Sequence, residues 1–249
     1  MLTEERWNSI VELVERNRAI SVPELESELG VSASTIRRDL AQLHKMGRLV
    51  KVHGGATSVG TQFVAKDLSM EEKYFLNNDE KLAIANYAAQ LIKPNDFVYI
   101  DAGTTTEMLV DCITEMRASY VTNSVLHARK LSLKGCHTYL PGGELKATTD
   151  ALVGPMAIET LRKFHFTIGF WGTNGVSVES GFTTPEPNEA MIKQISMEQS
   201  KKRYVLCDVS KFAAVSPITF AQFESAVIIT GKIQDKRYKK YENIVEVLK

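Results

Sequence analysis

Five cationic side chains and several short hydroxyls lie close together near the start of the chain. Residues 32–53 contain five lysines and arginines and one acid, a net charge of +4, whereas residues 1–31 contain three arginines and seven acids. Cations neutralise phosphate, and small polar groups at a helix start suit the DNA major groove. These residues therefore predict a DNA-binding surface. The candidate contacts are Ser21, Ser32, Ser34, Thr35, Arg37, Arg38, Gln42, Lys45, Arg48, Lys51 and His53.

A helix-turn-helix followed by a β-ribbon would position those side chains. Ser21 and Glu24 fit a capping box at the start of one helix, and Gly30 permits the left-handed turn that ends it. Over residues 32–46 the apolar side chains fall on one side of a second helix, which turns the arginines outwards. Alternation over residues 48–55 predicts a wing. An ordinary amphipathic surface helix with a solvated basic face is the alternative.

Small polar side chains also follow several strand-like segments further along the chain. DAGTTT at 101–106 follows the apolar run FVYI, and its glycine, its hydroxyls and the next helix start suit an anion. TNS at 122–124, PGG at 141–143, GTNG at 172–175 and DVSK at 208–211 follow other strand candidates. Ligands of parallel α/β sheets bind beyond the carboxyl ends of the strands, so these loops predict one pocket. Singly, each loop is also explained as a favourable turn.

The composition narrows the class of protein. The 249 residues carry 30 basic and 30 acidic side chains, so binding to nucleic acid must come from a local patch. Three separated cysteines predict reduced thiols, and we expect no metal site, because His127 and His137 have no partners at ligand spacing. The polar N-terminus and the absence of an apolar run of about 18 residues predict a cytoplasmic protein without a membrane span.

Strand-like and helix-like segments alternate after the first sixty residues, which predicts an α/β fold with a mostly parallel sheet. We expect a winged helix-turn-helix at 1–57, a linker at 58–77 and an effector domain at 78–249. The linker residues Phe63, Leu68 and Phe75 are expected to pack on the second domain. The tail KIQDKRYKKYENIVEVLK predicts a packing or dimerising helix. The strand candidates lie at 97–100, 120–122, 137–140, 166–170, 204–207 and 226–230, and helix candidates at 154–163 and 186–201.

Two motifs of the N-terminal part, STIRRDL at 34–40 and HGGA at 53–56, resemble the helix-turn-helix of the DeoR family of bacterial transcription regulators. Lys51 stands where family members usually have an arginine, a change that keeps a phosphate contact and loses a bidentate one. DAGTTT, VTNS, PGGELK, GTNGV, GFTTPEPNEA and CDVSKF resemble the C-terminal sensor domain of the family. That domain is similar in fold to sugar-phosphate isomerases and senses phosphorylated sugars.

The resemblance implies roles for individual residues. The Asp101–Thr106 loop resembles a phosphate cradle. Lys211 would supply a cation to the phosphate, and Asp208 would orient this cation or accept a hydrogen bond from a hydroxyl. Glu186 and Glu189 would meet sugar hydroxyls, or are solvated acids at the start of a helix. The implied effector-binding residues are Asp101, Gly103, Thr104, Thr105, Thr106, Asn123, Gly142, Gly143, Lys146, Thr173, Asn174, Glu186, Glu189, Asp208 and Lys211.

The sequence thus predicts a DNA-binding repressor of a sugar uptake or catabolic operon. GTNGV with GFTTPEPNEA is most similar to the fructose-operon repressors, which implies fructose 1-phosphate as the effector and induction as the response. Operator DNA and a phosphorylated sugar are the expected partners of a homodimer or homotetramer without a cofactor. One alternative is an isomerase-like enzyme with an accessory DNA-binding domain, motivated by the fold resemblance and by Asp208 with Lys211. Another is a constitutive DNA-binding protein with a structural C-terminal domain.

Overall fold

The computed structural model describes residues 3–17, 19–52, 54–58, 62–63, 73 and 76–247. Its N-terminal part contains three helices and a three-stranded sheet around one hydrophobic core. This is the predicted helix-turn-helix with a wing. In chain order the elements are α1 (Thr3–Asn17), β1 (Ala19–Ser21), α2 (Val22–Leu29), α3 (Ala33–Lys45), β2 (Val50–Val52) and β3 (Gly55–Thr57).

Both ends of α2 have the predicted local chemistry, whereas Ser32, which the sequence predicts to cap α3, does not do so with its side chain. The backbone N–H of Glu24 donates to Ser21 Oγ, and the Glu24 carboxylate accepts from the Ser21 N–H at 2.7 Å, which completes the capping box. Gly30 ends α2 in the left-handed conformation with φ of 63°. The Ser32 hydroxyl shares hydrogen bonds with the hydroxyls of Ser34 and Thr35 and makes no bond to the helix backbone.

The wing has one strand more than the sequence predicts. β3 pairs antiparallel with β2 and also with β1 on its other edge. Gly54 makes the turn with φ of 84°, and a Cβ at Gly55 would lie 2.3 Å from the Ile20 carbonyl oxygen. The glycine pair therefore serves both the turn and the close approach of β1. With only three residues, β1 is too short to show a period in the sequence.

The remainder of the chain is built on a seven-stranded sheet in which all neighbouring strands are parallel, in the order β17-β16-β13-β10-β5-β6-β7. The elements in chain order are β4 (Gln62–Phe63), α4 (Asn78–Ala89), β5 (Phe97–Ile100), α5 (Thr104–Cys112), β6 (Ser119–Thr122), α6 (Val125–Leu133), β7 (His137–Tyr139), β8 (Glu144–Lys146), β9 (Ala151–Val153), α7 (Pro155–Leu161), β10 (Phe166–Gly172), β11 (Gly175–Ser177), β12 (Gly181–Thr184), α8 (Pro187–Glu198), β13 (Ser200–Leu206), β14 (Ala214–Val215), β15 (Ile218–Ala221), β16 (Val227–Thr230) and β17 (Ile244–Glu246).

The direction of the connections reverses between β5 and β10. The chain leaves β5 through α5 towards β6 on one side, and it leaves β10 through α8 towards β13 on the other. Loops that diverge in this way open a crevice at the carboxyl ends of the two strands, which is where ligands of open α/β sheets bind. Apolar side chains fill both faces of the sheet, with α4, α5 and α6 over one face and α7 and α8 over the other.

All six predicted strands are present in the central sheet, with ends that differ by a few residues. The tail prediction is wrong: residues 244–246 form β17, which extends the sheet beside β16 with Ile244 opposite Ile228. Pairing of β-branched residues along the sheet edge overrides the helical period of the tail. Smaller pairings join β8 to β9, β12 to β11 and β15, and β14 to β4.

Two further sequence expectations concern a membrane span and the packing of the linker. None of the described helices is both long and apolar enough to cross a membrane. The predicted packing of Phe63, Leu68 and Phe75 lies outside what the structure describes, because of these three only the backbone of Phe63 is placed.

Candidate functional site

The outer face of α3 presents the predicted DNA-contacting cations. Arg37, Arg38 and Lys45 are exposed, as are the neighbouring polar side chains Ser34 and Gln42. The opposite face buries Ile36, Leu40 and Leu43 in the core, which fixes the rotation of the helix. In the wing, Lys51 is also exposed. The surface therefore has the charge and the free helix face that a major-groove reader needs.

One acid on α3 is removed from this surface by a buried ion pair. The Asp39 carboxylate accepts from Arg6 Nε at 2.6 Å and from Trp7 Nε1 at 2.9 Å, both on α1. Burial alone would raise the pKa of Asp39, but the hydrogen bonds from Arg6 and Trp7 outweigh it and lower the pKa. Its partner Arg6 is 33 residues away in the sequence, although Asp39 has two arginines directly before it. The pair fixes α3 against α1 and leaves the outer face positive.

Some predicted DNA contacts are already engaged within the protein. Ser21 is used by the capping box, and the hydroxyls of Ser32, Ser34 and Thr35 bond one another. Arg48 donates from Nη2 to Asn8 Oδ1 at 2.9 Å. His53 lies outside the described residues. Like Arg37, Arg38, Gln42, Lys45 and Lys51, these six residues remain predictions as DNA contacts.

A pocket lies at the crevice between β5 and β10. The α5 N-terminus forms one side with Gly103, Thr104 and Thr105, and the loop after β10 adds Thr173 and Asn174. Backbone N–H groups at a helix start carry partial positive charge and bind anions. The space within it is about 730 Å³ when the region open to solvent is counted, and the part that the centre of a water molecule can reach is about 80 Å³. Its other polar lining residues are Lys73, Asn77, Lys81, Thr149, Glu189, Lys193, Asp208, Ser210 and Lys211.

A buried ion pair lies beneath this pocket: Lys193 lines it, whereas its partner Asp101, a predicted effector residue, is not among the lining residues. Lys193 on α8 donates to the Asp101 carboxylate and, at 3.1 Å, to the Gly172 carbonyl. Asp101 also accepts from the Gly172 N–H at 3.1 Å, and only 2% of its surface is exposed. Burial raises the pKa of Asp101, opposed by Lys193 and by the Gly172 N–H. The pair joins the ends of β5 and β10 beneath the loop that holds Thr104.

A second buried lysine approaches from α4. Lys81 is 3% exposed, and its Nζ donates to the Lys73 carbonyl at 2.5 Å. Burial lowers the pKa of Lys81; Asp208 opposes the shift, while the positive charges of Lys211 and Lys73 add to it. Four lysines and two acids line the described part of the pocket, so an anionic ligand would offset the repulsion among these cations.

Two carboxylates, Glu189 and Asp208, form another part of the pocket wall and have different hydrogen-bond partners. Glu189 accepts from Lys146 Nζ and from Thr149 Oγ1, both at 2.8 Å. Asp208 accepts from Asn77 Nδ2 at 2.8 Å and from the Ser210 N–H at 3.0 Å. Carboxylates held in this way are suited to accept hydrogen bonds from the hydroxyls of a ligand.

The chain matches two protein-family profiles that together span most of its length. The DeoR-like helix-turn-helix domain matches residues 6–62, and the DeoR C terminal sensor domain matches residues 76–232. The chain belongs to the DeoR family.

Full-length relatives of this DeoR-family chain carry regulator names. It is 39% identical, over the whole of both chains, to the uncharacterized HTH-type transcriptional regulator FruR of Bacillus subtilis (strain 168). It is 32% identical, again over both full lengths, to the lactose phosphotransferase system repressor of Streptococcus mutans serotype c (strain ATCC 700610 / UA159). The protein is therefore a DNA-binding transcriptional regulator, and the enzyme alternative is set aside.

One solved structure with a similar fold is ribose 5-phosphate isomerase A from Methanocaldococcus jannaschii. The similarity has a TM-score of 0.41 at 16% identity and covers 55% of each chain.

Several predicted effector residues of the DeoR-family chain lie away from the pocket lining. Asn123 supports the loop from below, because its Oδ1 accepts from the Ala102 N–H and from Tyr99 Oη, each at 3.1 Å. Thr106 donates to the Gly103 carbonyl at 2.9 Å and so stabilises the same loop. Lys146 reaches the pocket only through Glu189.

Gly142, Gly143 and Glu186 serve the fold in other ways. β7 is the edge strand, two positions from β5, and neither glycine of the PGG loop that follows it is among the residues that line the pocket. Gly143 has φ of 141°, and a Cβ there would lie 2.6 Å from the Val153 carbonyl oxygen. Glu186 caps α8, since its carboxylate accepts from the Glu189 N–H at 2.8 Å. The placement of these residues in an effector site is thus not supported by the geometry.

Several pocket-lining residues are absent from those predicted from the sequence, among them Asn77, Lys81, Thr149 and Lys193. A usable pattern exists for the two lysines, because each lies at helical spacing within an apolar stripe. Lys81 precedes Ile84 by three residues, and Lys193 precedes Met197 by four. Lysine is almost never buried without a partner or a function, so a lysine in such a stripe indicates a site.

Proposed function

We propose that this protein represses a sugar uptake or catabolic operon and releases its operator when a phosphorylated sugar binds the pocket. The observation that carries the proposal is the placement of the α5 N-terminus beside Lys81, Lys193 and Lys211. Helix N–H groups, hydroxyls and lysines together form the kind of environment that a phosphate monoester requires. The names of the relatives, a FruR regulator and a lactose system repressor, support a sugar operon.

The rest of the pocket suits the sugar. Asn174, Thr173 and Thr149 supply amide and hydroxyl groups, and Glu189 and Asp208 supply acceptors. Such groups match the alternating hydroxyls of a hexose. We propose fructose 1-phosphate as the effector, on the basis of the motifs GTNGV and GFTTPEPNEA and of the FruR relative.

A homodimer or homotetramer would present two recognition helices to repeated half-sites. One helix-turn-helix unit makes too few contacts for a specific complex, and symmetric pairing doubles them. If the five cations of residues 32–53 all contact phosphate, the observed operator-binding constant should fall as salt concentration rises. The log–log slope should be roughly −4 to −5 for each DNA-binding domain.

A thermal-shift panel with the full-length protein tests the proposed effector. Fructose 1-phosphate, fructose 6-phosphate, other phosphohexoses and phosphopentoses, free fructose and inorganic phosphate are compared at equal concentration. A ligand present at a hundred times its Kd stabilises the folded state by about 2.7 kcal/mol. The largest shift is expected with fructose 1-phosphate. A larger shift with fructose 6-phosphate would retire the fructose 1-phosphate assignment, and no shift with any phosphosugar would contradict phosphosugar sensing.

A further inference from the structure

The segment between the DNA-binding helices and α4 is bonded to the wall of the pocket at two places. We refer to residues 58–77 as the connecting segment; the structure describes residues 58, 62–63, 73 and 76–77 of it. Its strand β4 pairs in parallel with β14, with Gln62 opposite Ala214 and Phe63 opposite Val215. β14 follows the helical turn Val209–Lys211, which carries two of the pocket-lining residues.

The second attachment lies at the end of the connecting segment. Asn77 donates from Nδ2 to Asp208 Oδ1 at 2.8 Å, and Lys81 Nζ donates to the Lys73 carbonyl. Both Asp208 and Lys81 face the pocket. The groups that would meet the ligand are therefore the groups that hold the connecting segment.

The conformation of Asn77 shows that its side chain does not serve α4 in the usual way. Asparagine at the position before a helix ordinarily accepts a hydrogen bond from the backbone of the first turn. Asn77 makes no such bond: it adopts the left-handed conformation with φ of 55°, and its amide donates to Asp208, 131 residues away. The side chain is thus used for a long-range contact, and not for starting the helix.

We propose that Asn77 is the positioning residue that couples the effector pocket to the connecting segment, and through it to the DNA-binding unit. The inference rests on the phosphosugar function proposed above. Asp208 Oδ1 already accepts from Asn77 and Ser210, so a ligand hydroxyl that donates to this atom competes with the Asn77 amide. An anion at Lys81 draws its ammonium away from the Lys73 carbonyl. Because coupling between two sites is reciprocal, the arrangement of the connecting segment also sets ligand affinity.

Two substitutions at position 77 test this coupling without straining the backbone. Asn77→Asp keeps the size of the side chain and opposes one carboxylate to another, so the contact with Asp208 is lost. Asn77→Gly removes the amide and adopts positive φ freely. Asn86→Asp is the matched control, because Asn86 lies exposed on the same helix and bonds only the Leu82 carbonyl four residues earlier.

The measured quantity is the ratio of operator Kd with and without fructose 1-phosphate, at concentrations that saturate each variant in a thermal-shift titration. A wild-type ratio between about 5 and 150 is typical of allosteric coupling. Both Asn77 variants are expected to lower the ratio towards 1, and Asn86→Asp is expected to keep the wild-type ratio. A wild-type ratio in folded Asn77→Gly overturns the proposal, even if Asn77→Asp fails to fold.

Hydrogen exchange on the wild-type protein gives a second, independent readout. Fructose 1-phosphate is expected to change amide exchange at residues 76–81 and 208–215 as well as at 102–106. Protection of amides at residues 102–106 alone would contradict the coupling through Asn77. It would still be consistent with ligand binding in the pocket. A wild-type protein whose melting temperature no phosphosugar alters refutes the proposed function, and the coupling with it.

Discussion

Lys193 and Asp101 form a buried ion pair directly beneath the loop that opens the pocket, with 5% and 2% of their surfaces exposed. They come from α8 and from the end of β5, so the pair ties two distant parts of the chain together at the point where ligands of such sheets bind. Removing one partner of a buried pair leaves an uncompensated charge and costs about 3–5 kcal/mol.

Lys193→Met is therefore expected to lower the free energy of unfolding by about that amount and to abolish phosphosugar binding. The double variant Asp101→Asn with Lys193→Met leaves no buried charge and should recover much of the stability. Urea unfolding of both variants measures the difference. Equal loss of stability in the single and the double variant would show that the pair does not have this role.

Arg38→Ala is expected to weaken specific operator binding without changing the melting temperature, since the side chain is exposed on the outer face of α3. A bidentate base contact contributes about 1–3 kcal/mol of discrimination, or roughly 5- to 150-fold in Kd. Gel-shift titration with footprinting measures the effect, and Arg16→Ala, exposed near the end of α1, is the control. An unchanged footprint would refute the recognition-helix assignment.

Thr104→Val combined with Thr105→Val is expected to remove the phosphosugar response and to keep operator binding. The two hydroxyls lie at the start of α5 in the pocket lining, and valine keeps their shape. Thr160→Val on α7 is a matched control, because its hydroxyl bonds only the Met156 carbonyl one turn earlier. Thermal shift with fructose 1-phosphate reports binding. A normal shift in the double variant counts against the phosphate cradle.

His127 on α6 makes the stability of the protein depend on pH. It is completely buried, and burial together with the charge of Lys130 lowers its pKa to about 3. Below about pH 6.5 the unfolded chain binds a proton that the folded protein does not, so stability falls by about 1.4 kcal/mol per pH unit as pH decreases. Denaturant unfolding should show this slope develop as the pH falls from 7 to 5, with a total loss of about 2 kcal/mol and nearly the full slope only near pH 5. His127→Gln should lose it, and an identical slope in that variant would assign the effect to other groups.

Much of the fold follows from local pattern. The capping box at Ser21, the left-handed Gly30 and the six predicted strands of the sheet are all present. Features that depend on contacts between distant residues could not be predicted from local pattern. β17 exists because Ile244 meets the sheet edge at Ile228, and Asp39 pairs with Arg6 from another helix.

In the pocket, too, some residues could be predicted from local motifs and others could not. Thr104, Asn174 and Lys211 line it as predicted, since loops after central strands converge on the switch point. Gly142 does not, because the order of strands, which decides that β7 is an edge, is not written in any local motif. The spacing of Lys193 within an apolar stripe indicates burial, but only the folded chain shows that its partner is Asp101.

The most direct test of the central claim is the operator affinity of the full-length protein with and without fructose 1-phosphate. Saturating fructose 1-phosphate is expected to raise operator Kd by about 5- to 150-fold, and free fructose is expected to leave it unchanged. An operator Kd that stays the same with fructose 1-phosphate and with every other phosphosugar of the panel would contradict it.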